Sequence, residues 1–284
     1  MDRAPIDGYC VMGNPVAHSM SPWIHARFAE LTGQTLRYDK RLIPRDEFSS
    51  AVHAYVHEGG RGCNVTVPFK LEAARLADQC SERATLAQAA NVLTFREGVI
   101  LADNTDGAGL VNDIEGNAGF DLSGRRLLLI GAGGAAAGAL GPLLCARPGG
   151  LTITNRTLPR ARALVQRHAA LAAQQGVELL AQEVQTLKGS FDIIINASAA
   201  SLSGAAAPIA SSTLKPGALA YDMMYGPAAQ GFIRWAREHD ALARDGLGML
   251  VEQAAQAFLN WRGVLPPAPQ VLAELQALML ARCT

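Results

Sequence analysis

Several stretches of this sequence set polar or glycine residues at spacings that chemistry can use. Gly131-Ala132-Gly133-Gly134-Ala135-Ala136 fits G-x-G-x-x-G/A, with Ala136 in the third small position. Glycines there permit a tight turn and let backbone N–H groups at a helix N-terminus approach a pyrophosphate. In a chain with 28 glycines the string alone is weak; a strand before it, a helix after it and a second strand beyond raise it. At the end of that second strand an NAD site usually carries Asp or Glu for the ribose 2′-hydroxyl. This chain has Thr154-Asn155-Arg156-Thr157 instead, with Arg160 and Arg162 close behind. A carboxylate repels a 2′-phosphate and a guanidinium pairs with it, so the expected cofactor is NADP rather than NAD. An arginine-rich solvated helix start is the alternative, but Arg156 stands where the selecting residue belongs.

Three polar clusters lie outside this region, each at the end of an expected strand. In Gly13-Asn14-Pro15-Val16-Ala17-His18-Ser19-Met20-Ser21-Pro22, Ser19 and Ser21 enter a helix together. Two hydroxyls plus helix N–H groups can hold a carboxylate without a countercharge; Ser21 could instead simply cap the helix. In Asn64-Val65-Thr66-Val67-Pro68-Phe69-Lys70, Asn64 and Thr66 share a strand face and Lys70 starts a helix. The helix dipole disfavours a cation there, which hints at a functional lysine, although a solvated one remains open. The third cluster is Asn91 with Asp103-Asn104-Thr105-Asp106-Gly107, where the aspartates could also serve as turn and cap residues.

The elements that must position these residues follow from apolar patterning. Tyr9–Met12, Arg37–Ile43 and Cys63–Val67 read as strands in a first part, with Pro22 and Pro44 opening helices. Leu127–Ile130, Leu151–Thr154, Phe191–Ile195 and Ala218–Asp222 read as strands of a parallel sheet covered on both faces. Met249–Trp261 and Val271–Arg282 read as helices on either side of Pro266-Pro267. The expected fold is α/β with two domains. Residues 1–105 form an N-terminal α/β domain, rejoined by C-terminal helices over 246–284, and residues 106–245 form a Rossmann-type doubly wound domain.

Bulk properties narrow the partners. Lysine plus arginine and aspartate plus glutamate stand at 25 each, which argues against nucleic-acid and polybasic membrane binding. The five cysteines are widely spaced and never form C-x-x-C, so neither a disulfide framework nor a thiolate metal site is expected, and a reducing cytoplasm is the expected home. Residues 1–7 lack the apolar core of a secretory signal. Residues 127–146 hold no charge, but their glycines and Pro142 favour strand, turn and helix over a membrane span. His53 and His57 have a metal-ligand spacing without a third ligand, so no metal site is expected. His18 and His25 flank the serine loop and are given no catalytic role.

Taken together, these runs resemble the shikimate dehydrogenase family over nearly the full chain. To those already quoted are added Tyr221-Asp222-Met223-Met224-Tyr225 and Asp245-Gly246-Leu247-Gly248-Met249-Leu250. The resemblance implies NADP-dependent reduction of 3-dehydroshikimate to shikimate, in the biosynthesis of aromatic amino acids. It implies that Ser19, Ser21 and Thr66 bind the substrate carboxylate, with Tyr225 closing over it, and that Lys70, Asn91, Asp106 and Gln253 hold the ring hydroxyls, with Asn64 beside them. Lys70 and Asp106 would share the proton of the reacting hydroxyl. Gly131 to Ala135, Asn155, Arg156, Thr157 and Arg160 would hold the cofactor, with Met223 and Gly246 on its nicotinamide side. Val92 stands where the family often has a hydroxyl residue, and Ala197–Pro208 is longer than the family's glycine loop. The rival readings are an NAD-dependent quinate/shikimate dehydrogenase, a related folate enzyme and a non-catalytic NADP sensor. A small-molecule substrate and a monomer or homodimer complete the expectation.

Overall fold

The computed structural model describes residues 6–198 and 209–281. The chain divides into two compact units, Met1–Gly109 with Leu250–Thr284, and Leu110–Met249.

In the first unit, β1 (Asp7–Gly13) is buried along almost its whole length and runs parallel to both β2 (Leu36–Leu42) and β3 (Gly60–Val65). The connections are α1 (Ser21–Thr32) and α2 (Phe48–His57). The helix start expected at Pro44 is displaced. Pro44 begins a turn closed by Glu47 N–H donating to its carbonyl, and α2 starts at Phe48. The reason is burial: Phe48, Val52 and Tyr55 form the core-facing stripe, whereas Arg45, Asp46 and Glu47 are exposed and give a helix nothing to bury.

The chain continues through α3 (Lys70–Leu76), β4 (Gln79–Cys80), α4 (Glu82–Ala87), β5 (Val92–Arg96), β6 (Val99–Asp103) and α5 (Asp106–Asn112). Strands β5 and β6 form a hairpin whose turn residues Glu97 and Gly98 both have positive φ, as a tight primed turn requires. The sheet order is β2-β1-β3-β5-β6-β4, with β5 antiparallel to both neighbours.

The second unit is built on β7 (Arg126–Ile130), α6 (Gly134–Cys145), β8 (Gly150–Thr154), α7 (Leu158–Gln175), β9 (Leu179–Gln182), β10 (Phe191–Asn196), β11 (Leu214–Asp222), α8 (Gln230–Glu238) and β12 (Leu242–Arg244). All pairings are parallel and the order is β12-β11-β10-β7-β8-β9. Counted from β7, that is the doubly wound order 3-2-1-4-5-6, with its switch point between β7 and β10. The uncharged stretch 127–146 resolves into β7, a glycine turn and α6. Among the described residues no helix is long and apolar enough to cross a membrane.

The C-terminal α9 (Leu247–Arg262) and α10 (Ala268–Ala281) carry the chain back into the first unit. There Trp261 stacks on Tyr9 at 4.6 Å, and Tyr9, Val11, Val92 and Ala257 join it in one core cluster.

Candidate active site

Lys70 and Asp106 meet in the first unit, with Lys70 Nζ donating to Asp106 Oδ2 at 2.6 Å. Their side chains are 17% and 5% exposed, so the pair is screened from water yet the ammonium stays reachable. Each is the first residue of a helix, α3 and α5. The dipole favours Asp106 in that place and opposes Lys70; the ion pair compensates for the second. Ala90 N–H donates to the Lys70 carbonyl at 2.8 Å and ties the start of α3 to the approach to β5.

Asn91 is the hub beside this pair. Its Nδ2 lies 2.9 Å from Asp106 Oδ1, 2.9 Å from Thr105 Oγ1 and 3.0 Å from Gln253 Oε1. An amide has two hydrogens, so three acceptors compete for two donors. Its Oδ1 accepts from Thr105 N–H at 2.8 Å. Gln253 reaches this cluster because residue 109 is glycine: a Cβ there would fall 2.6 Å from the Gln253 backbone nitrogen. Asp103, just before the cluster, accepts from Ser81, Arg83 and Asn260 side chains. Burial would raise its carboxyl, but the Arg83 and Ser81 hydrogen bonds hold it down at about 2. Asp103 therefore anchors the loop that carries Asp106, and takes no part in the Lys70 pair.

Ser19 and Ser21 lie at the start of α1, with Ser19 Oγ donating to Ser21 Oγ at 3.2 Å. Met20 occupies the N-cap position and Ser21 is the first helical residue, so Ser21 is not the cap. Thr66 follows β3, its N–H donating to the Met12 carbonyl. It packs so closely on Gly13 that a Cβ at Gly13 would sit 2.3 Å from the Thr66 methyl. Asn64 is buried on β3; it accepts from Tyr38 Oη at 2.6 Å and donates to the Asn91 carbonyl at 3.3 Å.

In the second unit, Gly131 has φ +113 and follows β7. A Cβ there would meet the Ala197 backbone at 3.0 Å, so the turn at the switch point tolerates only glycine. Ala132 to Ala135 continue into α6, and among the described residues a Cβ at Gly133 would meet nothing within 4 Å. Ala136 is fully buried, as the third small position of the motif requires.

Asn155 Nδ2 donates to the Thr157 carbonyl at 2.9 Å, and Arg156, Thr157, Arg160 and Arg162 are exposed at the start of α7. Met223 and Gly246 are brought together, since a Cβ at Gly246 would lie 2.4 Å from the Met223 carbonyl oxygen. Tyr225 follows them on the turn after β11 and is half-buried. Asn196 and Asp222, at the ends of β10 and β11, are hydrogen-bonded at 3.0 Å. Of Ala197–Pro208, residues 199–208 lie outside the described residues. The described residues contain no group of three or more His, Cys, Asp or Glu able to hold a metal ion.

Thr105 and Tyr38 belong to this network, though neither was among the expected site residues. Thr105 sits inside the Asn104–Gly107 run, where its hydroxyl type was the available signal. Tyr38 is a buried position on an otherwise exposed strand, and only its alternation pointed inward.

A six-stranded parallel sheet in this order, with a glycine turn after its first strand, defines a dinucleotide-binding class of domain. Its companion unit gathers hydroxyl, amide, lysine and carboxylate groups. Family models match in three segments: a shikimate dehydrogenase substrate binding domain over residues 11–93, a shikimate/quinate 5-dehydrogenase over 114–207, and a shikimate 5′-dehydrogenase C-terminal domain over 246–276. The chain is 63% identical to a shikimate dehydrogenase (NADP(+)) of Acidovorax sp. (strain JS42), over 98% of this chain and 99% of that protein. Among solved structures it resembles an Ael1 enzyme from Pseudomonas putida, with a TM-score of 0.86 at 46% identity, covering 95% of this chain and 98% of that one. It also resembles the Thermus thermophilus shikimate 5-dehydrogenase solved with NADP(H) and shikimate, with a TM-score of 0.82 at 28% identity and coverage of 94% and 98%. The chain belongs to the shikimate dehydrogenase family.

Proposed function

We propose that this chain catalyses the reversible NADPH-dependent reduction of 3-dehydroshikimate to shikimate. The observation that carries the reading is the buried Lys70–Asp106 pair held in one network with Asn91 and Gln253. Reducing a ketone leaves negative charge on its oxygen, and a positioned donor speeds that step by roughly 10²–10⁴-fold. Lys70 Nζ donates that proton, and Asp106 accepts from Nζ and holds it in line. In the reverse direction the same nitrogen takes the hydroxyl proton. Asn91 and Gln253 bind the remaining ring hydroxyls, with Asn64 beside them. Ser19, Ser21 and Thr66 take the carboxylate, and Tyr225 closes over it.

The second unit fits a phosphorylated dinucleotide. With no described residue within 4 Å of a Cβ at Gly133, the backbone N–H groups of Gly131 to Ala135 and the α6 N-terminus suit a pyrophosphate. Exposed guanidinium groups at Arg156 and Arg160, with Asn155 and Thr157, suit a 2′-phosphate. Met223 and Gly246 take the nicotinamide side. Bound there, the reduced nicotinamide would supply the hydride. On this reading residues 1–105 with 246–284 form the substrate domain and residues 106–245 the cofactor domain. The protein works in the cytoplasm on a small-molecule substrate, as a monomer or homodimer, without nucleic-acid or membrane partners.

The test is absorbance of reduced nicotinamide with shikimate and quinate each crossed against NADP and NAD. Turnover with shikimate and NADP supports the proposal. Preference for quinate or NAD moves the chain to the rival branch, and binding of NADP without turnover makes it a sensor.

A further inference from the structure

Behind the amide that faces the substrate groups lies a layer of buried aromatic side chains to which no role is yet assigned. Tyr38 is the one buried residue in the middle of β2, an edge strand whose remaining residues are exposed or half-buried. Its ring lies flat on the His25 imidazole, with centroids 4.3 Å apart and planes 6° from parallel, and it tilts against Trp261 at 6.3 Å. This packing fixes the ring and delivers its hydroxyl to Asn64 Oδ1 at 2.6 Å. The other end of the Asn64 amide is fixed as well, because the Asn91 backbone carbonyl can only accept and so must face Nδ2. Asn64 is thereby held at both ends. The Asn91 residue that holds one end of Asn64 also contacts Asp106 and Gln253.

We propose that Tyr38 is a positioning residue for substrate binding, which orients the Asn64 amide for a hydroxyl of the polyhydroxy acid. The inference rests on the assignment of Asn64 to the substrate site. Tyr38 itself touches no reacting atom. The hydroxyl could not be replaced by water without unmaking the stack, since Tyr38 and Asn64 are both at least nine-tenths buried. Losing it leaves an acceptor in the interior without its donor and lets the amide turn. The effect must therefore appear in binding rather than in the chemical step.

The test is Tyr38→Phe in the full chain, alone and combined with Asn64→Ala, with steady-state kinetics on shikimate and NADP. The ring and its stack remain in Tyr38→Phe, so the fold survives, and a melting curve taken alongside confirms it. We expect KM for shikimate to rise about tenfold, as loss of one buried hydrogen bond implies, with kcat within about twofold and KM for NADP unchanged. In the Asn64→Ala background the tyrosine change should add nothing further. An unchanged KM in Tyr38→Phe, beside a raised one in Asn64→Ala, overturns the role of Tyr38 and leaves the site assignment standing. Full additivity of the two changes overturns it too, because Tyr38 would then act without Asn64. Should Asn64→Ala itself leave shikimate binding unchanged, the site assignment fails and the inference goes with it.

Discussion

His25 should make this protein acid-sensitive in a pH window where its carboxylates do not. The imidazole is fully buried on α1 among the rings of Phe28, Tyr38, Phe258 and Trp261, and neither ring nitrogen makes a hydrogen bond. Burial lowers its pKa from 6.5 to about 3, opposed by the nearby Asn64 side chain. The unfolded chain takes up this proton below pH 6.5, whereas the folded protein refuses it until about 3. Stability from this group is therefore complete above 6.5 and falls as pH drops through that window. Each unit costs about 1.4 kcal/mol, so going from about pH 7.5 to about pH 4.5 removes roughly 2–3 kcal/mol. At pH 4.5 the folded pKa has not been reached, so the loss is set almost wholly by the unfolded value. For a chain of this size that is roughly 3–5 °C in melting temperature. His25→Phe keeps a flat ring in the stack and removes the titration. The assay is thermal or urea unfolding of both proteins across that pH range. Other groups, Asp103 and His168 among them, titrate alike in both and cancel in the difference. The wild type should lose the stated amount relative to the variant, and parallel stability curves would refute the reasoning.

Three further outcomes follow from the site. Lys70→Ala should lower kcat by about 10²–10⁴-fold while NADP binding, read by fluorescence titration, stays within twofold; normal turnover would remove Lys70 from the chemistry. Arg156→Ala should raise KM for NADPH by roughly 10- to 100-fold, the worth of a charge-assisted hydrogen bond, and leave KM for NADH unchanged in the same spectrophotometric assay. Gly248→Ala places a Cβ 1.8 Å from Asp113 Oδ1, where Asp113 already accepts from Tyr221 and Arg244. Displacing that buried pair should cost about 3 kcal/mol or more, visible as a lower urea midpoint.

In the second unit, the strands that sequence patterning identifies are those buried on both faces. Leu127–Ile130, Leu151–Thr154 and Phe191–Ile195 are interior strands, so packing demands a continuous apolar run and leaves it visible. The strands of that unit that escape notice are short and lie at its edges. Strands β9 and β12 close the two ends of the second sheet, carry exposed Leu180 and Leu242, and show no such run. The β5–β6 hairpin turns on Glu97-Gly98 rather than Asn-Gly, and glutamate at positive φ is not a residue that announces a turn. Pro44 shows the converse error, a local helix signal overridden because the buried stripe begins only at Phe48.

The site divides along the same physical line. Residue type and local spacing mark Lys70 and Asp106 as candidates, each with a plain structural alternative, and only the family resemblance gives them their roles. What local spacing cannot reveal is which groups compete for one another. Asn91 and Gln253 are 162 residues apart, yet their amides lie 3.0 Å from each other, and the second depends on the absence of a side chain at Gly109. Three acceptors around two Asn91 hydrogens mean that one hydrogen is shared. A hydroxyl arriving at Asp106 or Gln253 can therefore relieve a competition that the free protein carries, instead of breaking a finished bond. Ligand binding of that kind loses little of its hydrogen-bond energy to the network it joins. Tyr38 sharpens the point: it supplies no group that any motif requires, yet its hydroxyl donates to the Asn64 amide.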